Sequence, residues 1–254
     1  MILRKLADHY CGVYLIRVLE GFIHNLNNPL QILCVRSEQL TKNIEKLREA
    51  LEAEAVAEAR ELIEPMESKI DSFATSLEGL YSGLGSLTRC VLFKECSEIG
   101  QVKINAVVED TLFLLNANMF FKHSVEKTLE LDDNLPTLRG RHTDLCIIML
   151  NLIQNALESM AGAEEKHLTI ETSVQEANII IKVGDTGCGI PEENRQHIFK
   201  AFFTTKRGTQ YEGKLDEHLG IGLSLVSFLL EDYLGHISFE SVPGNTTFTL
   251  ELET

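Results

Sequence analysis

Through the first 95 residues of this chain, apolar side chains return at alternating steps of three and four. The first run is Leu15, Leu19, Phe22, Leu26, Leu30, Leu33, Leu40, Ile44, Leu47 and Leu51, with Ser37 in the one polar place of the series. The second is Leu62, Met66, Ile70, Phe73, Leu77, Leu80, Leu84, Leu87 and Val91. Such steps keep one face of a helix against a partner, so packed helices are the fold that can use them. The only prolines in the region are Pro29 and Pro65. Between the runs lies EAEAVAEAR, residues 52–60, polar and without Gly or Pro, and the reversal is expected near 53–60. The stripes then form an antiparallel hairpin over residues 1–95, with His24 about level with Thr88. A two-helix hairpin buries little core alone, whereas two copies make a four-helix bundle. The expected assembly is a homodimer through residues 1–95.

After residue 100 the pattern changes. Helical runs near 105–121, 141–161 and 220–234 alternate with strand-like runs at 125–131, 168–174, 178–184, 236–240 and 246–252. NIIIKVG, residues 178–184, is almost continuously apolar and suits a buried central strand. TTFTLEL, residues 246–252, alternates as a half-buried strand does. The fold class is therefore α+β: a helical hairpin over 1–95, a hinge at 96–101 around Gly100, and a layer of helices on a mixed sheet over 102–254.

Charge and cysteine usage exclude some functions. The formal net charge of -15 speaks against a nucleic-acid partner or an anionic membrane surface. Cys11, Cys34, Cys90, Cys96, Cys146 and Cys188 show neither CxxC spacing nor a Cys/His cluster, which argues against a zinc site and fits a reducing cytoplasm. No apolar run approaches the roughly 18 residues of a membrane span, so no membrane insertion is expected in this chain.

Four segments of the second region carry candidate chemistry. Asn151 and Asn155 share a face of an otherwise apolar helix, where amides are costly without polar partners, and an Asn carbonyl can ligate Mg²⁺. Asp185 follows the buried strand in DTGCGIP; its carboxylate can accept from an exocyclic amine, while Gly187 and Gly189 let the backbone turn and approach a ligand. Gly220 and Gly222 open a helix, a natural cradle for phosphate. FKAFFTTK, residues 199–206, has aromatics to anchor a polar loop, and Lys206 or Arg207 could reach phosphate oxygens. Taken singly, these could be a helix-packing amide pair, a tight turn, a lone GxG and a solvated loop.

Together, in this order and spacing, they resemble the N, G1, F and G2 boxes of the Bergerat-type ATPase fold, shared by histidine kinases, type II topoisomerase subunits, Hsp90 and mismatch-repair ATPases. The resemblance covers about residues 100–254, including GHISFESVPGNTTFTLEL. It implies ATP and Mg²⁺ as cofactors, with Asn155 the metal ligand, Asp185 the reader of adenine and Thr246 beside the base.

The front region selects a branch. GFIHNLNNPLQIL resembles the H box of sensor histidine kinases, with His24 followed five residues later by Pro29. On the helical stripe Phe22 and Leu26 face the bundle, so His24 should point to solvent, where a neutral imidazole is a competent nucleophile toward phosphorus. The ATPase branches typically have Glu where Asn151 stands, and an amide cannot take a proton from water, so Asn151 suits transfer over hydrolysis. The resemblance implies a histidine protein kinase whose partner is a response-regulator receiver domain. It departs from the family in Asn25, where an acidic partner of the His is usual, and in His218, where the first G2 glycine usually stands. The last loop reads PGN in place of PGxG. Asn28 matches the position that family members use to orient water when a response regulator is dephosphorylated, and because Asn25 replaces the usual acidic residue, a phosphatase or a nucleotide-binding scaffold with little autokinase activity is the alternative.

Overall fold

The computed structural model describes residues 2–93, 98–116, 118–205 and 220–253, with the side chains of His24, Asn25 and Asn28 outside that description, as is Lys206. It falls into two compact units, Leu15–Leu92 and Phe93–Thr254, the second taken with Met1–Tyr14.

The first unit consists of α1 (Ile2–Glu52) from residue 15 onward and α2 (Val56–Phe93). The reversal is tighter than the expected 53–60: only residues 53–55 separate the helices, with Glu54 at φ 56. A left-handed residue lets the chain double back without Gly at a cost of about 1 kcal/mol. Arg36 sets the register, its guanidinium donating to the Ser72 carbonyl and, at 2.7 Å, to Ser76 Oγ. His24 is twelve residues from Arg36 toward the open end, and Leu84 and Thr88 are twelve beyond Ser72 and Ser76, so the His24 backbone is level with that turn of α2. Pro29 stands inside α1 and has no N–H, so the carbonyl of Asn25 loses its helical donor one turn earlier.

The apolar stripe of each helix divides into two seams seven residues apart. Leu26 and Leu33 are buried, and Leu40, Leu47, Met66, Phe73 and Leu80 half-buried, inside the hairpin. Leu30, Ile44 and Leu51, with Ile70, Leu77 and Leu84, are between 42% and 60% exposed in the single chain.

The second unit is a two-layer sandwich. A five-stranded sheet runs in the order β2 (Glu126–Leu131), β4 (His167–Gln175), β5 (Asn178–Asp185), β7 (Asn245–Glu253), β6 (His236–Val242), with β2 parallel to β4 and the other neighbours antiparallel. Alternation fixes its faces: Leu168, Ile170, Ile181, Val183, Phe248 and Leu250 are buried beneath the helices, while Thr169, Glu171, Lys182 and Thr247 face outward. Helices α3 (Ile104–Leu115), α5 (His142–Ser159) and α6 (Gly222–Glu231) form the second layer. In α5 thirteen of eighteen residues are buried, which is why it reads as apolar almost all round.

Three features differ from expectation. The helix expected at 105–121 is α3 followed by α4 (Met119–Ser124), because Asn118 Oδ1 accepts the N–H groups of Phe120 and Phe121 and so caps a new helix. The helix expected at 220–234 spans only Gly222–Glu231, and Leu234, at φ 47, turns the chain away. Residues 99–101 of the expected hinge belong to β1 (Ile99–Val102), paired antiparallel with β3 (Leu138–Arg141). Gly140 of β3 makes room for the ring of Tyr233, whose hydroxyl accepts from the Arg141 N–H at 3.1 Å. Among the described residues no helix is long and apolar enough to cross a membrane.

Candidate nucleotide site

Helix α5 carries three polar residues four apart on one face, Asn151, Asn155 and Ser159. Asn151 is 4% exposed, and its Nδ2 donates back to the Ile147 carbonyl at 2.8 Å, which leaves Oδ1 directed toward the start of α6. There Gly222 packs so closely that a Cβ would stand 2.7 Å from Asn151 Oδ1. Asn155 is half-buried, and its side chain has no hydrogen-bond partner among the described residues. A partly enclosed, unengaged amide oxygen is what a metal ligand needs. Among the described residues no group of three His, Cys, Asp or Glu side chains could hold a metal. A metal here would take one protein amide together with phosphate and water oxygens, a donor set that suits Mg²⁺.

Asp185 ends β5 and is 5% exposed. Its Oδ1 accepts from Ser159 Oγ at 2.7 Å and from the Gly187 N–H at 2.8 Å. Thr246, its direct partner across β5 and β7, is 3% exposed and hydrogen-bonds Ser241 Oγ at 2.9 Å. Ser241 Oγ in turn accepts from the Ile190 N–H at 2.8 Å, and the Ser241 carbonyl accepts from Arg195 at 2.6 Å, so the loop after Asp185 is tied to β6. Gly187 and Gly189 are required by space and conformation. A Cβ at 187 would stand 2.0 Å from Ser159 Oγ, and Gly189, at φ 78, lies against the Val242 carbonyl.

Gly220, at φ 68, closes on the aromatic loop: its carbonyl accepts from the Phe202 N–H at 2.8 Å, and a Cβ would meet the Phe203 carbonyl at 2.5 Å. Phe202 is itself left-handed, at φ 67, a strained state for an aromatic. Ten-residue α6 begins without a side-chain cap, so its first N–H groups and positive dipole end are presented at the level of Asn151.

Asn151, Asn155, Asp185, Gly187, Gly189, Gly220, Gly222 and Thr246 thus all belong to the second unit, around the free ends of α5, β5 and α6. Lys206 and His218 lie outside the described residues, and so do the side chains of His24, Asn25 and Asn28. Reading the sequence missed Ser159, Ser241 and Arg195. Only Ser159 had a signal, its place four residues after Asn155. A polar cavity lined by His167, Thr169, Glu171, Lys182, Gly184, Asp185, Thr186, Asn245 and Thr247 lies at the outer face of the sheet; it shares Asp185 with the candidate site but not Asn151 or Asn155, and Lys182 and Glu171 are paired there at 3.2 Å.

Residues 140–254 match the family of histidine kinase-, DNA gyrase B-, and HSP90-like ATPases. The sensor histidine kinase TmoS of Ectopseudomonas mendocina is 28% identical over 224 residues, 87% of this chain and 21% of TmoS. The C4-dicarboxylate transport sensor protein DctB of Rhizobium meliloti is 25% identical over 240 residues, 93% of this chain and 34% of DctB. The chain therefore spans a minor part of these relatives. The solved catalytic domain of the histidine kinase ThkA is 26% identical, with a TM-score of 0.51 over 61% of this chain and 95% of that domain. The full-length histidine kinase ShkA in complex with AMPPNP, 21% identical, shares the fold with a TM-score of 0.51 over 70% of this chain and 38% of ShkA.

The sandwich and its ring of glycines, amides and Asp185 define an ATPase domain of the histidine kinase, gyrase B and HSP90 class. Relatives aligned along nearly all of its length are sensor histidine kinases, and the chain is similar to their catalytic core, with the family match itself lying in residues 140–254.

Proposed function

We propose that this chain binds ATP with Mg²⁺ in the second unit and transfers the γ-phosphoryl group to His24, and from there to an Asp of a response-regulator receiver domain. The observation that supports the reading best is the convergence on one helix face of Asn155, an amide with no partner among the described residues, a fixed amide, Asn151, and a residue holding the buried Asp185. Asp185 accepts the adenine amine, with Thr246 beside it. The first turn of α6 receives phosphate oxygens through its N–H groups, and Gly220 and Gly222 let the chain come close. Asn155 supplies a protein oxygen to Mg²⁺, which when bound neutralises phosphate charge.

In the transfer step an imidazole nitrogen of His24 attacks the γ-phosphorus, an N–P bond forms and the bond to the β–γ bridging oxygen breaks, with ADP as leaving group. Such transfers depend on positioning and charge neutralisation more than on proton movement. Asn151 fits this chemistry, since an amide cannot deprotonate water. The family's acidic neighbour of the His is absent, and Asn25 neither takes a proton from the imidazole nor balances its charge. Slow autophosphorylation is the expected consequence, and with Asn28 one turn on, dephosphorylation of the regulator is the second reading.

The exposed seam of Leu30, Ile44, Leu51, Ile70, Leu77 and Leu84 supports a homodimer through residues 1–95, because a second hairpin would cover a heptad face that one chain leaves in water. The deciding experiment is incubation with γ-labelled ATP and Mg²⁺, native against His24→Ala. An acid-labile, alkali-stable label that disappears in the variant establishes the kinase and its acceptor. No label, with ATP still bound, moves the assignment to the phosphatase or scaffold.

A further inference from the structure

We infer that Ser159 is a positioning residue for nucleotide-base recognition: its hydroxyl holds the Asp185 carboxylate in the orientation that reads the exocyclic amine. The inference rests on the assignment of Asp185 to adenine.

Ser159 is the last residue of α5, two turns beyond Asn151 and one beyond Asn155 on the same face. It touches the loop after β5 in three ways. Its Oγ lies 2.7 Å from Asp185 Oδ1, its carbonyl accepts from the Cys188 N–H at 3.2 Å, and its hydroxyl occupies the space a side chain at 187 would need. The hydroxyl is also 2.7 Å from the Ala156 carbonyl, so one proton faces two acceptors. A carboxylate oxygen is a stronger acceptor than a peptide carbonyl, so the Ser159 O–H is directed at Asp185 Oδ1. With the Gly187 N–H on the same oxygen, the carboxylate plane is fixed by two donors from opposite ends of the site, one on the helix of the amides and one on the loop. Removing the hydroxyl takes away the donor that the helix supplies to Asp185 Oδ1 and loosens the carboxylate on that side. The bond therefore couples the helix that addresses metal and phosphate to the loop that addresses the base.

Because Ser159 acts through Asp185, its effect should be confined to ligands that engage that carboxylate. The test measures Mg²⁺-dependent binding of ATP and of purine riboside triphosphate, which lacks the 6-amino group, by calorimetry on the full chain. Native protein, Ser159→Ala and Ser159→Thr are compared. Loss of a charge-assisted hydrogen bond predicts an ATP affinity about tenfold weaker in Ser159→Ala. Purine riboside triphosphate should bind all three within about twofold, which also shows that the variant is folded, and Ser159→Thr should keep near-native ATP affinity. Equal losses for both nucleotides, or no loss for ATP, would overturn the positioning role. Native protein that binds the two nucleotides equally would overturn the assignment of Asp185 itself, and this inference with it.

Discussion

Gly222 at the start of α6 lies against the buried amide of Asn151 on α5, so that a single added methyl would stand 2.7 Å from Asn151 Oδ1. Asn151 cannot simply swing away, since its Nδ2 is held by the Ile147 carbonyl and the side chain is 4% exposed. Gly222→Ala should therefore push α6 from α5, at a cost of about 1–3 kcal/mol, as overpacking does. Differential scanning calorimetry should show the lower melting temperature, and ATP affinity should fall because the N–H groups of α6 move. A variant as stable as the native chain and equal in ATP affinity would mean that this contact does not set the spacing of the site.

Asn155 makes the opposite prediction. Its side chain has no partner among the described residues, so Asn155→Ala should leave stability within about 0.5 kcal/mol. Mg²⁺-dependent ATP binding should nonetheless be lost by tenfold or more, since a metal oxygen disappears. Calorimetric titration with and without Mg²⁺ separates the two effects. Unchanged ATP affinity in the presence of Mg²⁺ would remove Asn155 from the metal site.

Much of the second unit is legible in the sequence because its strands carry their face assignments in plain alternation. In β7, Thr246, Phe248, Leu250 and Leu252 are buried while Asn245, Glu251 and Glu253 are exposed. β5 reads as a central strand, and even its outward Ile180 is only 5% exposed. The short pair β1 and β3 is invisible, since four residues such as LRGR are too few to show a period and Gly140 there answers to Tyr233, far along the chain. The break between α3 and α4 was available in principle, as Asn118 is a standard N-cap, but apolar residues on both sides hide it. The site residues stood out because amides, Asp and Gly interrupt apolar elements. Ser159 did not, because its partner Asp185 is 26 residues away and a lone Ser at a helix end has many uses. In the hairpin the period of each stripe was clear, but one stripe serving two seams could be separated only by exposure.

That separation yields a prediction about assembly. Ile70 and Leu77 are 53% and 42% exposed, whereas Phe73 between them is half-buried against α1. Replacing both Ile70 and Leu77 by Lys places charges in the outer seam alone, so the chain should become monomeric while its helices persist. Phe73→Ala cuts the inner seam and should cost about 3 kcal/mol in the hairpin itself. Sedimentation equilibrium distinguishes the cases, and a double variant that remains dimeric would place the interface elsewhere.

Asn25 yields the sharpest functional prediction. Its backbone lies one turn before Pro29, whose ring removes the helical donor to the Asn25 carbonyl, and the residue itself lacks acid–base capacity. An acidic side chain beside His24 would stabilise positive charge on the imidazole as the N–P bond forms and accept its proton, an effect of general-base size, about 100-fold or more in rate. Asn25→Asp and Asn25→Glu should therefore raise the initial rate of acid-labile labelling from γ-labelled ATP, with ATP affinity unchanged because residue 25 is not among those assigned to the nucleotide. Asn25→Ala should change the rate little, since the amide it removes has no proton to trade. A gain in rate identifies the native chain as a kinase held slow by a single residue. No gain in either acidic variant would sink that account, and the reason for the amide would then lie in hydrolysis of the regulator's aspartyl phosphate by water, where Asn28→Ala should abolish release of phosphate.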